Sequence, residues 1–305
     1  MFGWNTQFDY FMCRACGCLQ IVTIPADLYS YYPEDYYAQD SQPESLPAGP
    51  LRQINWLRLR YRLTGRGAWA EKLTWRLGPL SRAIQRQIPY LERIPDLDRD
   101  SRILDIGCGE YSAWLASLAY CGFRNLTGAD PFIKHAGFRD GIRYLCIEPR
   151  DLQGPYDLIT LHHSLEHIPD QHALLRTLER LLAADGACLI RIPLVDSEAW
   201  DEYGLDWVEL DAPRHLYLHS RNSLAGLAQA HGFEIFDTLC DSTAFEFAGS
   251  AQYRMGIPLM AHDSFWNGSG PFDADAMRLH SHRAQAVNAA GRCGRAAFFL
   301  RRSAA

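Results

Sequence analysis

The sequence predicts an α/β protein built on a mostly parallel sheet with helices on both of its faces. From Ser101 onward, short apolar and β-branched runs alternate with helix-forming segments, which is the pattern of parallel strands joined by helical crossovers. The run 102–106 breaks into Gly107-Cys108-Gly109 and a helix follows at once, so a buried strand meets a helix at a tight turn. Residues 170–183 carry leucines at helical spacing, which indicates a helix with one buried face.

The elements of this region, residues 98–305, follow in a regular order. Their predicted bounds are strand 102–106, helix 112–121, strands 125–129, 143–147 and 157–162, helix 170–183, and strands 187–192, 233–239 and 296–300. Ser220 is expected to cap a further helix that runs to His231, and Gly232 to stop it. Residues 241–290 are too many for an ordinary loop, so we expect local structure there over the mouth of the ligand site.

Residues 1–50 form a distinct N-terminal segment. The motif Cys13-Arg-Ala-Cys16-Gly-Cys18 has the shape of half a zinc knuckle, but zinc takes four ligands. The sequence holds no second C-x-x-C and no histidine before His135, so we predict no bound metal. The tyrosine-rich run 29–37 either packs against the rest of the protein or forms part of a substrate site. Prolines and a glycine in residues 43–50 predict a linker.

Residues 51–97 form a basic helical arm. Between Leu51 and Arg93 the sequence holds ten lysines and arginines against two acids, in a chain whose net charge is −6. Apolar residues at helical spacing predict two amphipathic helices separated near residues 65–67. They are Trp56, Leu59 and Leu63 in the first helix and Leu73, Leu77 and Leu80 in the second. Such helices either pack on the domain with a solvated arginine face or form a surface for anionic substrates or lipid headgroups.

Composition limits the class of protein further. With 305 residues, 48% of them hydrophobic and 22% charged, the chain can form one large domain with an N-terminal extension. No apolar run approaches the length of a membrane helix, and the first ten residues contain no signal-peptide core. Cysteines such as Cys188 and Cys240 lie in apolar strand patterns, where cysteine acts as a small hydrophobic residue. We therefore predict a cytoplasmic protein with reduced cysteines and at most a peripheral contact with membranes.

The acid inside the glycine motif indicates the ligand. A dinucleotide fingerprint would place a third glycine where this chain has Ser112, and a pyrophosphate would be repelled by Asp105 at the end of the strand. S-adenosylmethionine carries a sulfonium and an ammonium group and no phosphate, so a carboxylate is favourable there. Asp130 ends the next strand-like run, about 20 residues beyond the glycines, where a carboxylate would receive ribose hydroxyls.

These motifs resemble those of class I S-adenosylmethionine-dependent methyltransferases over about residues 98 to 302. The matching segments are 103–109, 128–131, 156–167 and 182–193. Segments 207–215 and 249–253 resemble a bacterial subgroup associated with surface-polysaccharide and glycosyltransferase systems. One departure is Tyr111, where the family often has a third glycine. The resemblance implies a Rossmann-like sheet of seven mostly parallel strands with an antiparallel last strand. It also implies cofactor contacts from Asp105, Gly107, Cys108, Gly109, Asp130, Pro131 and His162.

Methyl transfer requires alignment of the acceptor with the sulfonium and, for a hydroxyl or amine acceptor, removal of a proton. Ligands bind beyond the carboxyl ends of parallel strands, where the sequence places residues 162–167 and the loop 194–215. We predict His215 as the base, because imidazole titrates near working pH, with a role in bonding this loop to the sheet as the alternative. His163 is the second candidate base, and Glu166 and His167 are expected to brace their loop.

A sugar ring stacks on aromatic faces and hydrogen-bonds to polar groups, and Arg214 could hold a phosphate or carboxylate. The side chains expected to bind the acceptor are Tyr203, Trp207, Asp211 and Arg214. The favoured function is O-methylation of a sugar or glycan intermediate, a reaction of class EC 2.1.1.-. The alternatives are methylation of a lipid-linked or other small acceptor, and a non-catalytic cofactor-binding scaffold. Nucleic acid is disfavoured as a partner, since the chain is acidic overall and has no Asn-Pro-aromatic motif of the kind used in base methylation. The sequence does not indicate an oligomeric state.

Overall fold

The computed structural model describes residues 6–32, 49–64, 80, 82–268 and 270–303. The strands are β1 (Tyr10–Met12), β2 (Leu19–Ile21), β3 (Arg102–Ile106), β4 (Asn125–Ala129), β5 (Gly137–Arg139), β6 (Ile142–Leu145), β7 (Tyr156–His162), β8 (Leu182–Pro193), β9 (Tyr217–Leu218), β10 (Phe233–Cys240) and β11 (Arg295–Arg302). The α-helices are α1 (Gly49–Thr64), α2 (Arg82–Leu91), α3 (Ala113–Tyr120), α4 (Gln171–Leu181), α5 (Glu198–Tyr203), α6 (Arg221–Ala230), α7 (Ala244–Arg254) and α8 (Ala274–Ala289).

The main sheet has eight strands in the order β10-β11-β8-β7-β3-β4-β6-β5. Strands β8, β7, β3, β4 and β6 run parallel, and β11 lies antiparallel between β8 and β10. The mixed α/β, Rossmann-like sheet and its antiparallel last strand are therefore confirmed. From β3 the chain moves outward through β4 and β6 and then returns to form β7 on the other side of β3. This reversal opens a crevice at the carboxyl ends of β3 and β7, where such sheets bind ligands.

The predicted count of seven strands is wrong by one. All seven predicted strands are present, and the additional strand is β5, which pairs antiparallel with β6 at the sheet edge. It is only three residues long, too short for a period-two pattern to reveal it.

Both faces of the main sheet are covered, which explains why its strands consist of nearly continuous apolar runs. One core contains Trp114, Leu115 and Leu118 of α3. The other contains Leu174 and Leu178 of α4. The predicted cap at Ser220 is confirmed, in a capping box with Ser223, and Ser112 caps α3. The predicted helix 170–183 ends two residues early, at Leu181, because β8 begins at Leu182 and not at residue 187.

The N-terminal segment packs onto the main domain. β1 and β2 form a hairpin, and β2 pairs antiparallel with β9 through Leu19 and Leu218. The Ser220 hydroxyl donates to the carbonyl of Cys16 in the hairpin turn. Tyr29 contacts Phe132 with ring centroids 5.2 Å apart, as the packing interpretation of the tyrosines predicts. Tyr36, Tyr37 and most of the predicted linker lie outside the described residues.

The basic arm is a folded part of the domain where the structure describes it. Trp56 and Leu59 of α1 are buried in the same core as α3, and the Trp56 ring packs edge-on against Phe123. Residues 49 and 50 begin α1, so the linker prediction is wrong for these two positions. Leu73 and Leu77 of the predicted second helix lie outside the described residues. None of the helices in the described ranges combines the length and apolar composition needed to cross a membrane.

Residues 241–290 contain local structure, as predicted, in the form of helices α7 and α8, which pack against each other. The segment also brings two cysteines together. Cys240 at the end of β10 and Cys293 just before β11 form a disulfide with their Cα atoms 5.7 Å apart. The prediction of reduced cysteines is therefore wrong for Cys240, because antiparallel pairing of β10 and β11 places its partner beside it.

A buried histidine makes the stability of this fold sensitive to acid. His219 is 4% exposed and lies between the Ser223 hydroxyl and the Gln171 amide oxygen, each at 2.9 Å. Burial lowers its pKa to about 4, whereas an exposed histidine has a pKa of 6.5. The unfolded chain therefore takes up a proton below pH 6.5 that the folded chain does not accept until about pH 4. The stabilisation is complete above pH 6.5 and is lost as the pH falls.

We expect this difference to cost about 2 kcal/mol of unfolding free energy between pH 7.5 and pH 5. Urea unfolding of the parent protein and of His219→Gln at both pH values measures it, and the variant should lose less stability on acidification. His282→Gln, at an exposed histidine, is the matched control and should follow the parent. Equal losses in the parent and His219→Gln would contradict the prediction.

Candidate active site

The glycine turn after β3 forms the floor of the site. Gly107 and Gly109 have φ angles of 76° and 60°, in the left-handed region that favours glycine. A Cβ on Gly107 would lie 2.5 Å from the Cβ of Ser164, so the turn packs directly on the loop after β7. Cys108 is buried, and its Sγ would lie 2.8 Å from a Cβ on Gly128. Any contact of Cys108 with a ligand therefore comes from its backbone.

Asp105 is buried beside the glycine turn and connects the elements around it. Thr160 and Ser112 each donate a hydroxyl hydrogen bond of 2.7 Å to its carboxylate, one to each oxygen. Ser112 in turn caps α3 by accepting from the backbone N–H of Leu115 at 3.1 Å. Burial raises the pKa of Asp105 to about 6, and the two hydroxyl donors oppose that rise. The side chain thus joins β3, β7 and the start of α3 at the crevice.

Asp130 lies at the carboxyl end of β4, beside the glycine turn. Its Oδ2 accepts from the Gly109 N–H at 3.1 Å and its Oδ1 from the Phe132 N–H at 2.8 Å. The side chain is partly exposed, as is Pro131 next to it. Burial raises its pKa and the two backbone donors lower it, with a net rise. The two strand ends that sequence analysis placed at one edge of the sheet are therefore directly bonded to each other.

These residues fit S-adenosylmethionine. Within the described part of the chain, neither Asp105 nor Asp130 forms an ion pair with a lysine or arginine, so the turn carries uncompensated negative charge. Such a pocket attracts a sulfonium and an ammonium group and repels a pyrophosphate. The backbone approaches closely at Gly107 and Gly109 because no Cβ intervenes.

Two histidines of different character follow at the end of β7. The His162 ring packs on Trp114 with centroids 4.8 Å apart, and burial together with Arg191 lowers its pKa to about 3. His163 has a φ of 53°, a conformation that is uncommon outside glycine and is often found at functional sites. Its Nδ1 lies 3.3 Å from Glu166 Oε1, and its Nε2 has no hydrogen-bond partner among the described residues.

A set of buried and half-buried charged side chains lies at the same edge of the sheet. We call it the charge cluster; it consists of Glu166, Arg191, Glu209, Asp241, Glu246 and Arg295. Arg191 contacts Asp241, and Arg295 lies 3.5 Å from Asp241 and 3.7 Å from Glu209. Burial raises the pKa of Glu166 to about 8 and that of Glu246 to about 7. For Asp241, burial raises the pKa, but Arg191 and Arg295 outweigh it and the net shift is downward.

The structure changes the roles predicted for the 203–214 loop. Trp207 is fully buried and packs on Trp200, so it has no surface on which a sugar could stack. Tyr203 is 7% exposed, and the Arg254 guanidinium covers its ring. The distance from Arg254 Cζ to the centroid of the Tyr203 ring is 4.5 Å. Both aromatic side chains are core residues here, because α5 and the turns after it fold back onto α7.

Arg214 and Asp211 already satisfy each other. Arg214 is 2% exposed, its Nε donates to Asp211 Oδ2 at 2.9 Å, and its Nη2 donates to Asp211 Oδ1. Its Nη1 donates to the carbonyl of Tyr31 at 2.7 Å. The role of Arg214 in holding an anionic acceptor stays a prediction, and in this structure its charge is compensated inside the protein. The pair instead fixes the loop that carries His215.

His215 lies with the charge cluster and apart from the glycine turn. It is 6% exposed, and its Nδ1 lies 2.6 Å from the carbonyl oxygen of Glu209. Its ring contacts the His167 ring with centroids 4.8 Å apart. The N-terminal hairpin reaches the same place, because the Tyr10 hydroxyl donates to the His215 carbonyl at 2.8 Å. The structure thus brings together His163, Glu166, His167 and His215, which come from two separate loops.

Sequence analysis missed most of the charge cluster. Arg191 interrupts the apolar run of β8, Asp241 follows the end of β10, and Arg295 begins β11. Since β11 is antiparallel to its neighbours, its first residue lies at the carboxyl edge of β8 and β10. The sequence did contain a signal for these residues, namely a charged residue at the end of an apolar strand. Placing such residues together at the site also requires the order in which the strands pair.

Potential metal ligands occur in two places. Cys13, Cys16 and Cys18 lie in and beside the β1–β2 turn, and Cys18 is buried. Within the described residues, one group of three histidine, cysteine or carboxylate ligands converges, and it consists of Glu166, His167 and His215.

Comparisons with known proteins identify related methyltransferases. A family model described as a methyltransferase domain matches residues 75–238. The ubiquinone biosynthesis O-methyltransferase of Neisseria meningitidis serogroup C (strain 053442) is 26% identical over 189 residues, covering 52% of this chain and 79% of that protein.

Two solved methyltransferase structures are also similar. One is phosphoethanolamine N-methyltransferase 2 of Haemonchus contortus, solved in complex with phosphomonomethylethanolamine and S-adenosylhomocysteine. Its sequence is 17% identical and the TM-score is 0.45. The match covers 82% of this chain and 60% of that chain. An S-adenosylmethionine-dependent methyltransferase from Archaeoglobus fulgidus is 16% identical with a TM-score of 0.46, covering 76% of this chain and 97% of that one.

The family model covers more than half of the chain, and it includes the glycine turn, Asp105, Asp130 and the histidines after β7 that build the acidic crevice. The chain therefore belongs to the methyltransferase domain family and is an S-adenosylmethionine-dependent methyltransferase.

Proposed function

We propose that this enzyme transfers the methyl group to a hydroxyl of a sugar or glycan intermediate. The observation that carries the proposal is a group of buried polar atoms at the end of β7 and in the charge cluster. Among the described residues, the buried Nε2 atoms of His162 and His163 have no hydrogen-bond partner, and Glu209 Oε1 faces only Arg295, at 3.7 Å. Each such atom costs about 1–3 kcal/mol if it stays unsatisfied. A molecule with several hydroxyl groups supplies both donors and acceptors, whereas an apolar ring supplies neither.

The cofactor-binding residues are proposed to be those at the ends of β3, β4 and β7. Asp130 would accept the ribose hydroxyls, the Gly107–Gly109 backbone would lie along the ligand, and His162 would line the pocket beside Trp114. When bound, S-adenosylmethionine supplies an electrophilic methyl group on a sulfonium. The protein holds the acceptor in line with it, and positioning of this kind provides most of the rate.

Two histidines are proposed to act on the acceptor. His215 has its Nδ1 held by the Glu209 carbonyl, so its Nε2 is the nitrogen left for the acceptor proton. His163 has a buried Nε2 without a partner in the described part of the chain. Either imidazole can receive the hydroxyl proton as the O–CH3 bond forms. Asp211 and Arg214 hold the His215 loop in place.

The N-terminal segment 1–50 and the arm 51–97 are proposed to form one catalytic unit with residues 98–305. Tyr10 bonds to the backbone of His215, and Tyr31 receives a hydrogen bond from Arg214. In this proposal the hairpin and the turn that contains Tyr31 form a wall of the acceptor site. Transfer to oxygen is supported by the name of the 26% identical relative, an O-methyltransferase. The polysaccharide association rests on the segments 207–215 and 249–253.

An acceptor panel tests the proposal. The protein is incubated with S-adenosylmethionine and, separately, with nucleotide-activated hexoses and deoxyhexoses, catechols, lipid-linked sugars and primary amines. Mass spectrometry then locates any added methyl group. We expect methylation of a sugar hydroxyl and a higher melting temperature with S-adenosylhomocysteine. Methylation confined to catechols or amines would overturn the sugar acceptor. Cofactor binding without turnover on any acceptor would favour the scaffold.

A further inference from the structure

The inference begins from the three side chains that converge beside the charge cluster. Glu166 and His167 belong to a short 3-10 turn after β7, and His215 belongs to the loop before β9. One ligand atom from each of them lies within 4.8 Å of the other two. Two imidazole nitrogens and a carboxylate oxygen at such separations can reach a common point with only a small adjustment.

The hydrogen bonds of the two imidazoles determine which nitrogen is available. His167 Nδ1 lies 2.9 Å from the carbonyl oxygen of Arg214 and 3.2 Å from the Tyr32 hydroxyl, and His215 Nδ1 lies 2.6 Å from the carbonyl oxygen of Glu209. A carbonyl oxygen only accepts, so each Nδ1 carries the proton and each Nε2 carries a lone pair. This is the usual arrangement around a metal-bound histidine, whose second nitrogen donates to a carbonyl or carboxylate.

The carboxylate of Asp211 does not occupy the lone pair of His215 Nε2. Asp211 Oδ2 stands 4.0 Å from His215 Nε2, which is beyond hydrogen-bond distance. Asp211 is instead held by Arg214, which donates to both of its carboxylate oxygens.

Glu166 gives the independent observation that a ligand belongs here. Its residue surface is 0% exposed, and neither carboxylate oxygen has a hydrogen-bond partner among the described residues. The closest donor, His163 Nδ1, is 3.3 Å from Oε1 without forming a well-directed bond. A buried carboxyl group without hydrogen bonds is either protonated or compensated by a nearby charge. A cation placed between Glu166 and the two Nε2 atoms provides that charge.

We propose that Glu166, His167 and His215 bind a divalent transition-metal ion, and we name Zn²⁺ as the probe. Imidazole and carboxylate ligands suit zinc and neighbouring first-row metals, and a site with three protein ligands keeps a position open. This replaces the expectation of no metal drawn from the sequence. The cysteines at the hairpin turn are not part of the proposed site.

The open coordination position would give the ion a role in catalysis. That catalytic role rests on the proposed function, whereas binding of the ion is independent of it. The acceptor hydroxyl would coordinate the ion, which makes its proton more acidic. The proton passes to His163 Nε2, the new O–C bond forms and the S–C bond breaks, with the electron pair left on the sulfur of S-adenosylhomocysteine. His215 then acts as a ligand and His163 as the base.

Zinc binding by the full chain tests the site directly. Protein treated with a chelator and then dialysed is titrated with Zn²⁺ by calorimetry, and Co²⁺ is added separately to record the visible absorption of the bound ion. We expect one equivalent of Zn²⁺ per chain. Glu166→Gln and His215→Ala should each weaken binding by at least about 10²-fold, because loss of an outer partner alone costs about 10–100-fold.

Two control variants separate this site from other zinc-binding groups. His172 and His231 form an exposed pair with nitrogens 2.8 Å apart, so His231→Ala removes a surface site. Cys16→Ser removes a thiolate from the hairpin turn. Both controls should bind Zn²⁺ like the parent. Circular dichroism and the melting temperature identify variants that fail to fold; for those, His167→Asn replaces the test variant.

Two results would overturn the proposed site. The first is unchanged Zn²⁺ binding in folded Glu166→Gln and His215→Ala. The second is loss of binding only in Cys16→Ser or His231→Ala. The catalytic role is tested separately on the acceptor found in the panel. Equal turnover of the chelator-treated and zinc-loaded protein would overturn that role while leaving both the metal site and the methyltransferase activity standing.

Discussion

Replacing His215 with alanine is expected to lower turnover by roughly 10²–10⁴-fold, the usual worth of a group that handles the acceptor proton, while the affinity for S-adenosylhomocysteine stays nearly unchanged. The physical reason is the separation of the two halves of the site. His215 lies against Glu209 and His167, whereas Asp105 and Asp130 bond to the glycine turn and its neighbours. Steady-state kinetics and calorimetry with S-adenosylhomocysteine measure the two effects independently.

His231→Ala, at an exposed position of the surface pair, is the matched control and should keep parental turnover. Normal turnover in His215→Ala would mean that His215 only stabilises its loop, and that His163 is the catalytic histidine. Loss of cofactor affinity in a folded His215→Ala protein would mean that the loop before β9 contributes to the cofactor pocket.

Replacing Asp130 with alanine is expected to weaken S-adenosylhomocysteine binding by about 1–3 kcal/mol, or roughly 5–150-fold, the range for hydrogen bonds to a charged group. The carboxylate accepts from the Gly109 and Phe132 N–H groups, so its loss removes the ribose contacts and also loosens the turn. Isothermal titration calorimetry at constant salt measures the change, and salt is held constant because screening alters charged contacts.

Asp185→Ala provides the control for Asp130, because Asp185 is an exposed acid of β8 near its N-terminal end, opposite the site. It should bind S-adenosylhomocysteine like the parent. Equal affinity of Asp130→Ala and the parent would show that Asp130 serves only to bond the turn and that another group receives the ribose.

The helices and strands of the main domain are largely predictable from the sequence, for local reasons. The strands are covered on both faces, so they consist of apolar runs that can be recognised without knowing their neighbours. Ser112 and Ser220 cap helices through bonds to residues three positions away, and such contacts need no tertiary information. Asp130 could be placed near Gly109 because parallel strands bring their carboxyl ends to one edge.

The acceptor side of the site shows where local patterns fail. Trp207 and Arg214 are residue types that often bind sugars and anions. In the structure Trp207 is buried in the core, and Arg214 is paired with Asp211. Burial and pairing depend on what folds over the loop, and here that is α7 and the N-terminal hairpin. Neither can be read from the loop itself.

The sequence by itself determined the α/β class, the strand–turn–helix at the crevice, and the placing of Asp105 and Asp130 beside that turn, because each depends on local patterns along the chain. The tertiary structure alone decided the charge cluster, the Cys240–Cys293 pair and the convergence of Glu166 with His215. These join residues about 50 positions or more apart. Their meeting follows from the order in which strands pair, and a period-two or period-3.6 pattern contains no information about that order.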